Sequence, residues 1–234
     1  MKVFIQSIVA QILLNPYIFW RGYQAIPPQK SWRIPYVLFF ILELSLFFFG
    51  FTFRNVLPDS VMIAIQYICN TWYIASIYIT LSLLVLEVLR LSNRFFHWFP
   101  GWMTGHWKQT KLTLFFLIIA IVTGLMFHAY HVVAYPVVKD VYVTLPKGSS
   151  ERDSMTIVMM SDLHIGEMIG KELVQRYVKM SNEQHPDMVV LVGDIMDYES
   201  RFAEKAHIEE DLKQLKAPLG VYVVYGNMSI APTA

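Results

Sequence analysis

Three stretches of this chain are too long and too apolar to be placed in water. They run roughly over residues 35–53 (PYVLFFILELSLFFFGFTF), 62–89 and 112–133, and crossing ~30 Å of hydrocarbon takes ~20 helical residues. Inside lipid a lone segment must satisfy its own backbone, so each is expected to be a helix. The composition agrees, since 55% of the residues are hydrophobic and 15% aromatic, more than an ordinary soluble domain carries. A fourth segment, roughly 3–20 (VFIQSIVAQILLNPYIFW), contains Gln6, Gln11, Asn15 and Pro16, and either spans or lies partly in the interface. It makes a poor signal peptide, with one lysine before it, no small-x-small cleavage site and further spans behind it.

Charge divides the chain at the same place. Residues 1–138 hold nine Lys/Arg against three Asp/Glu, and residues 139–234 hold ten against fifteen; +6 and −5 give the net +1 of the whole. A basic, apolar transmembrane region over 1–138 is thus expected to precede a water-soluble domain over 139–234. Nothing resembles a basic nucleic-acid surface, so no nucleic-acid partner is expected. Arg21, Lys30 and Arg33 lie in one loop and Arg90, Arg94, Lys108 and Lys111 in another, whereas loop 54–61 has Arg54 alone. Positive loops face the cytoplasm, which makes this a multi-pass protein of the cytoplasmic (inner) membrane with its C-terminal domain on the outer side. Lys139 and Lys147 weigh against that orientation. Cys69 is the sole cysteine, so no disulfide forms within the chain.

Beyond residue 138 short apolar runs alternate with amphipathic ones. TIVMM (156–160), MVVLV (188–192) and VYVVY (221–225) read as strands buried on both faces. Residues 170–183 and 204–216 have helical periodicity, with Leu173, Val174 and Tyr177 on one inward face and Ile208, Leu212 and Leu215 on the other. Strand–helix–strand–helix–strand predicts a parallel βαβαβ sheet with right-handed crossovers.

In open α/β sheets ligands gather at the carboxyl ends of the strands. Those ends read SDLH (161–164), GDIMD (193–197) and GN (226–227), bringing Asp162, His164, Asp194, Asp197 and Asn227 to one crevice. Imidazole mixed with carboxylates suits Mn, Fe or Zn better than Mg or Ca. A carboxylate shared by two ions would build a two-metal site for displacement at phosphorus. Gly193 and Gly226 are expected to let the backbone turn sharply behind each ligand.

DLH, GDIMD and GN, in this order and on these elements, resemble the calcineurin-like metallophosphoesterases. PDMVVLVGDIMD and LKAPLGVYVVYGN are similar to bacterial membrane-anchored members, and the resemblance covers about residues 139–227. It implies the N-terminal half of an α/β metallophosphoesterase domain and hydrolysis of phosphate mono- or diesters with two divalent ions. Asp162 and His164 would bind the first ion, Asp194 would bridge both, Asn227 would bind the second, and Asp197 would support them. Lipid-linked or envelope-derived phosphoesters are the substrates that the membrane location suggests.

The departures matter. The family places His and then an acid after Asn, where this sequence has Met228 and Ser229, and no His follows Asn227. The chain is therefore expected to be a C-terminally truncated form, through a frameshift or a similar event, and inactive. The alternative is a non-catalytic membrane protein whose phosphoesterase fragment is vestigial or binds a partner.

Other polar features have plainer readings. Glu43, mid-span, marks function by default, and a transporter or channel would rest on it alone. A hydrogen bond to a neighbouring helix, through Gln66, Asn70 or Thr71, is the expected reason for it. Glu87, Arg90 and Arg94 read as an ion-paired helix end, FFHWFPGWMTGHW (95–107) as an interfacial aromatic belt, and His128 with His131 as a pair lacking a third ligand. His185 precedes a strand at its amino end, away from the crevice.

Overall fold

The structure, a computed structural model, describes residues 2–53, 56–146, 148, 152–166, 169–196, 204 and 206–226, leaving aside the side chains of 2–7 and 10. The chain forms two compact units, Met1–Val132 and Val133–Ala234.

The first unit is helical: α1 (Lys2–Ala25), α2 (Lys30–Thr52), α3 (Asp59–Phe96), the short α4 (Gly101–Gly105) and α5 (Trp107–Ala134). Among the described residues α2, α3 and α5 are long and apolar enough to cross a membrane. The protein is a membrane protein. α3 extends beyond the expected 62–89 at both ends, because no Pro or Gly interrupts 59–96. It stops at His97, a left-handed cap (φ 50°) whose N–H donates to Asn93 O at 2.9 Å, with Pro100 just beyond.

Two of the polar residues that make segment 3–20 a weak span, Gln11 and Asn15, turn out to be buried. Gln11 Nε2 and Asn15 Nδ2 of α1 each donate at 2.9 Å, to Glu43 Oε1 and Oε2 respectively. Trp72 Nε1 of α3 donates to Asn15 Oδ1 at 3.0 Å, and Glu43 is 4% exposed. The partners expected for Glu43 were on α3. They lie on α1 instead, where two amide groups one helical turn apart meet both carboxylate oxygens. The ion pair of Glu87 is likewise with Arg21 of α1, not with its own helix.

The second unit is the predicted parallel sheet, β1 (Ile157–Ser161), β2 (Met188–Gly193) and β3 (Val221–Tyr225) in the order β1-β2-β3. Helices α6 (Lys171–Glu183) and α7 (Ile208–Leu212) connect them. Their apolar residues Val174, Val178, Ile208 and nearby Leu215 pack on Val189 and Leu191 of β2 and on Ile165. Buried Asp211 ties the two helices, accepting from Gln175 Nε2 at 2.9 Å with Lys171 Nζ at 3.6 Å.

The expectation of strands buried on both faces is corrected. β1 alternates between exposed and half-buried, and all five residues of β3 are exposed. Among the described residues the helices cover one face of the sheet, and β3 is an edge. The described helix within 204–216 is also shorter than expected, with 205 outside the described residues.

Glu43→Leu strands the amide donors of Gln11 and Asn15 inside the bundle. Interhelical bonds in lipid contribute about 0.6 kcal/mol each, up to about 1.7, so the detergent-solubilised variant is expected to melt several degrees lower. Glu43→Gln, which keeps one acceptor, should fall between; equal melting of all three proteins in a thermal size-exclusion assay would remove this cluster as a stabilising element.

Candidate metal centre

The site begins where β1 and β2 end, because their pairing continues into the loops. Asp162 N–H donates to Val192 O at 3.0 Å, His164 N–H to Asp194 O at 3.0 Å, and Ile165 N–H to Ile195 O at 2.8 Å. Two loops that would otherwise diverge are held side by side. Asp162 Oδ1 accepts from Asp194 N–H at 3.4 Å, so its carboxylate leans over the start of the second loop.

Both loop residues that carry donors have left-handed backbones, Asp162 at φ 50° and His164 at φ 46°. Asp and His tolerate this region better than most residues, at a cost of about 1–3 kcal/mol each. The other non-glycine residues with positive φ in the described chain are His97, His185 and His207. His97 and His207 cap helices, and His185 follows the end of α6. At 162 and 164 there is no helix end to explain the conformation. Its effect is to turn two donors outward while Ile165, between them and α6, is fully buried.

Asp162, His164 and Asp194 each offer one ligand atom within 4.8 Å of the others. Asp194 is 7% exposed, whereas Asp162 is open to solvent. The negative charge of two carboxylates this close would favour a cation bound among them and the imidazole. The donor set is one nitrogen and several oxygens, which fits a borderline transition metal. The site is closed from below by Asp194 and accessible from above through Asp162.

One of the two glycines acts as expected and the other differently. Gly193 does have the backbone of a tight turn (φ 85°), and a Cβ there would lie 2.5 Å from Asp162 Oδ1. Gly226 is required for close approach. Its N–H donates to Gly193 O at 3.1 Å. A Cβ on it would overlap the Asp194 carboxylate and lie 2.6 Å from the Gly193 carbonyl carbon. The end of β3 is thereby pressed against the residue that carries the most buried donor. Sequence reasoning missed this contact; a Gly at the end of each of two neighbouring strands is the signal that could have found it.

Asn227, Asp197 and Met228 lie outside the described residues. His207, Glu209 and Glu210 form a second group with ligand spacing, but all three are exposed, with His207 Nδ1 3.5 Å from Glu209 Oε1, and a solvated surface cluster accounts for it. His128 and His131 are exposed, and no third ligand joins them among the described residues.

Residues 155–229 match the family model described as calcineurin-like phosphoesterase. The chain is 29% identical over 234 residues to a transmembrane protein with metallophosphoesterase domain of Danio rerio, covering 96% of this chain and 52% of that one. It is 27% identical over 205 residues to the Bos taurus protein of the same description, covering 85% and 44%. An uncharacterised metallophosphoesterase of Bacillus subtilis is 32% identical over 75 residues, covering 32% and 26%. The chain therefore spans about half the length of the curated relatives it matches. No solved structure matches it.

Asp194→Ala and Gly226→Ala are both expected to weaken Mn2+ binding by about tenfold or more, the scale on which supporting groups act at metal sites. Gly170→Ala, whose Cβ would meet nothing within 4 Å, should bind as the parent does. Titration calorimetry on the detergent-solubilised chain decides, and a Gly226→Ala protein of unchanged affinity would show that close approach to Asp194 is not required.

Proposed function

Since residues 155–229 match the calcineurin-like phosphoesterase family, we propose that this chain has the build of a membrane-anchored, metal-dependent phosphoesterase for phosphate mono- or diesters and, with Met228 at the position of the family's histidine, binds phosphate at its metal site without turning esters over. The convergence of Asp162, His164 and Asp194 at the carboxyl ends of parallel strands carries the reading. Asp162 and His164 would hold a first divalent ion, Mn, Fe or Zn, Asp194 would be shared with a second, and Asn227 would hold that second ion with Asp197 in support. Bound there, such ions would polarise phosphoryl oxygens and lower the pKa of water. The chain's own contribution is positional: buried Asp194 fixes one donor, the loop ladder fixes His164, and exposed Asp162 leaves the approach open.

In this proposal the basic loops around 21–34 and 90–111 face the cytoplasm and the C-terminal unit lies outside the inner membrane. Its substrates would be phosphoesters of the lipid or envelope phase. The second reading, a non-catalytic membrane protein with a partner-binding domain, is favoured by one observation. Met228 stands where the family carries the histidine that acts at the phosphate.

Both readings are tested on the Mn2+-loaded chain in detergent, beside Asp194→Ala. Inorganic phosphate should bind only with Mn2+, and the substitution should abolish that binding. Hydrolysis of p-nitrophenyl phosphate and bis-p-nitrophenyl phosphate is expected to match the variant, because of Met228. Turnover clearly above the variant would refute the non-catalytic reading, and phosphate binding indifferent to Mn2+ would refute the metal site.

A further inference from the structure

The membrane unit contains a cavity of about 760 Å³ bounded by α1, α2, α3 and α5, within the ~300–1,000 Å³ range of ligand-binding pockets. On α3 its walls run from Thr71 to Arg90, about 28 Å of helix at 1.5 Å per residue. The deep part is apolar, formed by residues such as Phe39, Phe40, Trp72 and buried Val122. At the other end the lining turns cationic and aromatic, with Arg90, Lys111, Trp98 and Trp107.

The charges at this mouth are unequal. Glu87, the one acid there, is engaged by Arg21. Arg90 lies over the Trp107 ring at 5.9 Å, and Lys111 Nζ donates to Gln24 O at 3.3 Å. Neither has a carboxylate partner among the described residues. An adjoining cavity of about 460 Å³ adds Arg94 and shares Glu87 and Arg90. Four cations against one acid leave three positive charges beside a long hydrocarbon-lined slot. Basic pockets between membrane helices take anionic lipid headgroups, and Trp rings sit at headgroup level.

We propose that this cavity holds the tail of a lipid whose phosphate headgroup rests on Arg90 and Lys111. The mouth opens at the first turns of α5, about 35 Å of helix before its end at Ala134. The site is therefore a lipid-holding element of the membrane unit and does not depend on the phosphoesterase reading.

Native mass spectrometry of the whole chain in mild detergent, with added phosphatidylglycerol or phosphatidylcholine, tests it. Phosphatidylglycerol should be retained at least about tenfold better, since each basic group near a membrane surface is worth about 1 kcal/mol toward an anionic lipid. The Arg90→Ala/Lys111→Ala double variant should bring the two lipids close to parity without lowering the melting temperature. Val122→Trp, which fills the slot, should reduce retention of both lipids. Equal retention in the parent, or preference unchanged in the double variant, overturns the proposal. So does displacement of the lipid by millimolar inorganic phosphate, which would make the mouth a simple anion site. Arg90→Lys, which keeps the charge, should retain the preference; its loss there would overturn headgroup recognition by charge.

Discussion

The parallel pairing of β1 with β2 and of β2 with β3 is what the site depends on. Ser161 pairs with Val192 and Gly193 with Tyr225, so the three strands finish level and their following residues emerge at one edge. A slip of one residue would turn Val189 and Leu191 out of the core. Each contributes about 2 kcal/mol by burial, so the register that packs the helices also aligns Asp162 with Asp194. Core and site are set by one choice of register. The ladder continuing through His164 and Ile165 extends that order four residues beyond β1 and two beyond β2.

The membrane unit solves an opposite problem. In the sheet, charged groups converge at the surface with room for a cation among them. In the bundle, the carboxyl of Glu43 is enclosed and its two oxygens are met by amide donors from α1. A polar group in hydrocarbon that lacks such partners costs several kcal/mol. α1 is thus held by polar contacts to helices that are themselves apolar, which is why its own composition is less apolar than theirs. The cavity opens along α3 between these helices and α5.

Much of this was legible in the sequence because it depends on local pattern. Length and hydropathy reveal α2, α3 and α5. Alternating apolar runs reveal the sheet, and strand ends reading DLH and GD place Asp162, His164 and Asp194 together. What sequence hides is the partner across space. Nothing local says that Glu43 faces Gln11 and Asn15 rather than Gln66 or Asn70, since all lie on apolar helices at feasible depths. Continuous apolar runs likewise imply cover on both faces of a strand. Yet β3 is exposed at Val221, Val223 and Tyr225 as well as at Tyr222 and Val224, because cover is a property of the neighbouring layer and not of the strand. The left-handed backbones at 162 and 164 escape detection too, as Asp and His are common in every turn.

Those two conformations bear on how the site and the fold share free energy. At about 1–3 kcal/mol each, they are comparable with the burial of Ile165, about 2 kcal/mol, which follows His164 into the core. One anchored side chain and three main-chain hydrogen bonds offset that strain. A cation bound by these donors in the folded chain would stabilise it by its binding free energy, since the unfolded chain offers no assembled site.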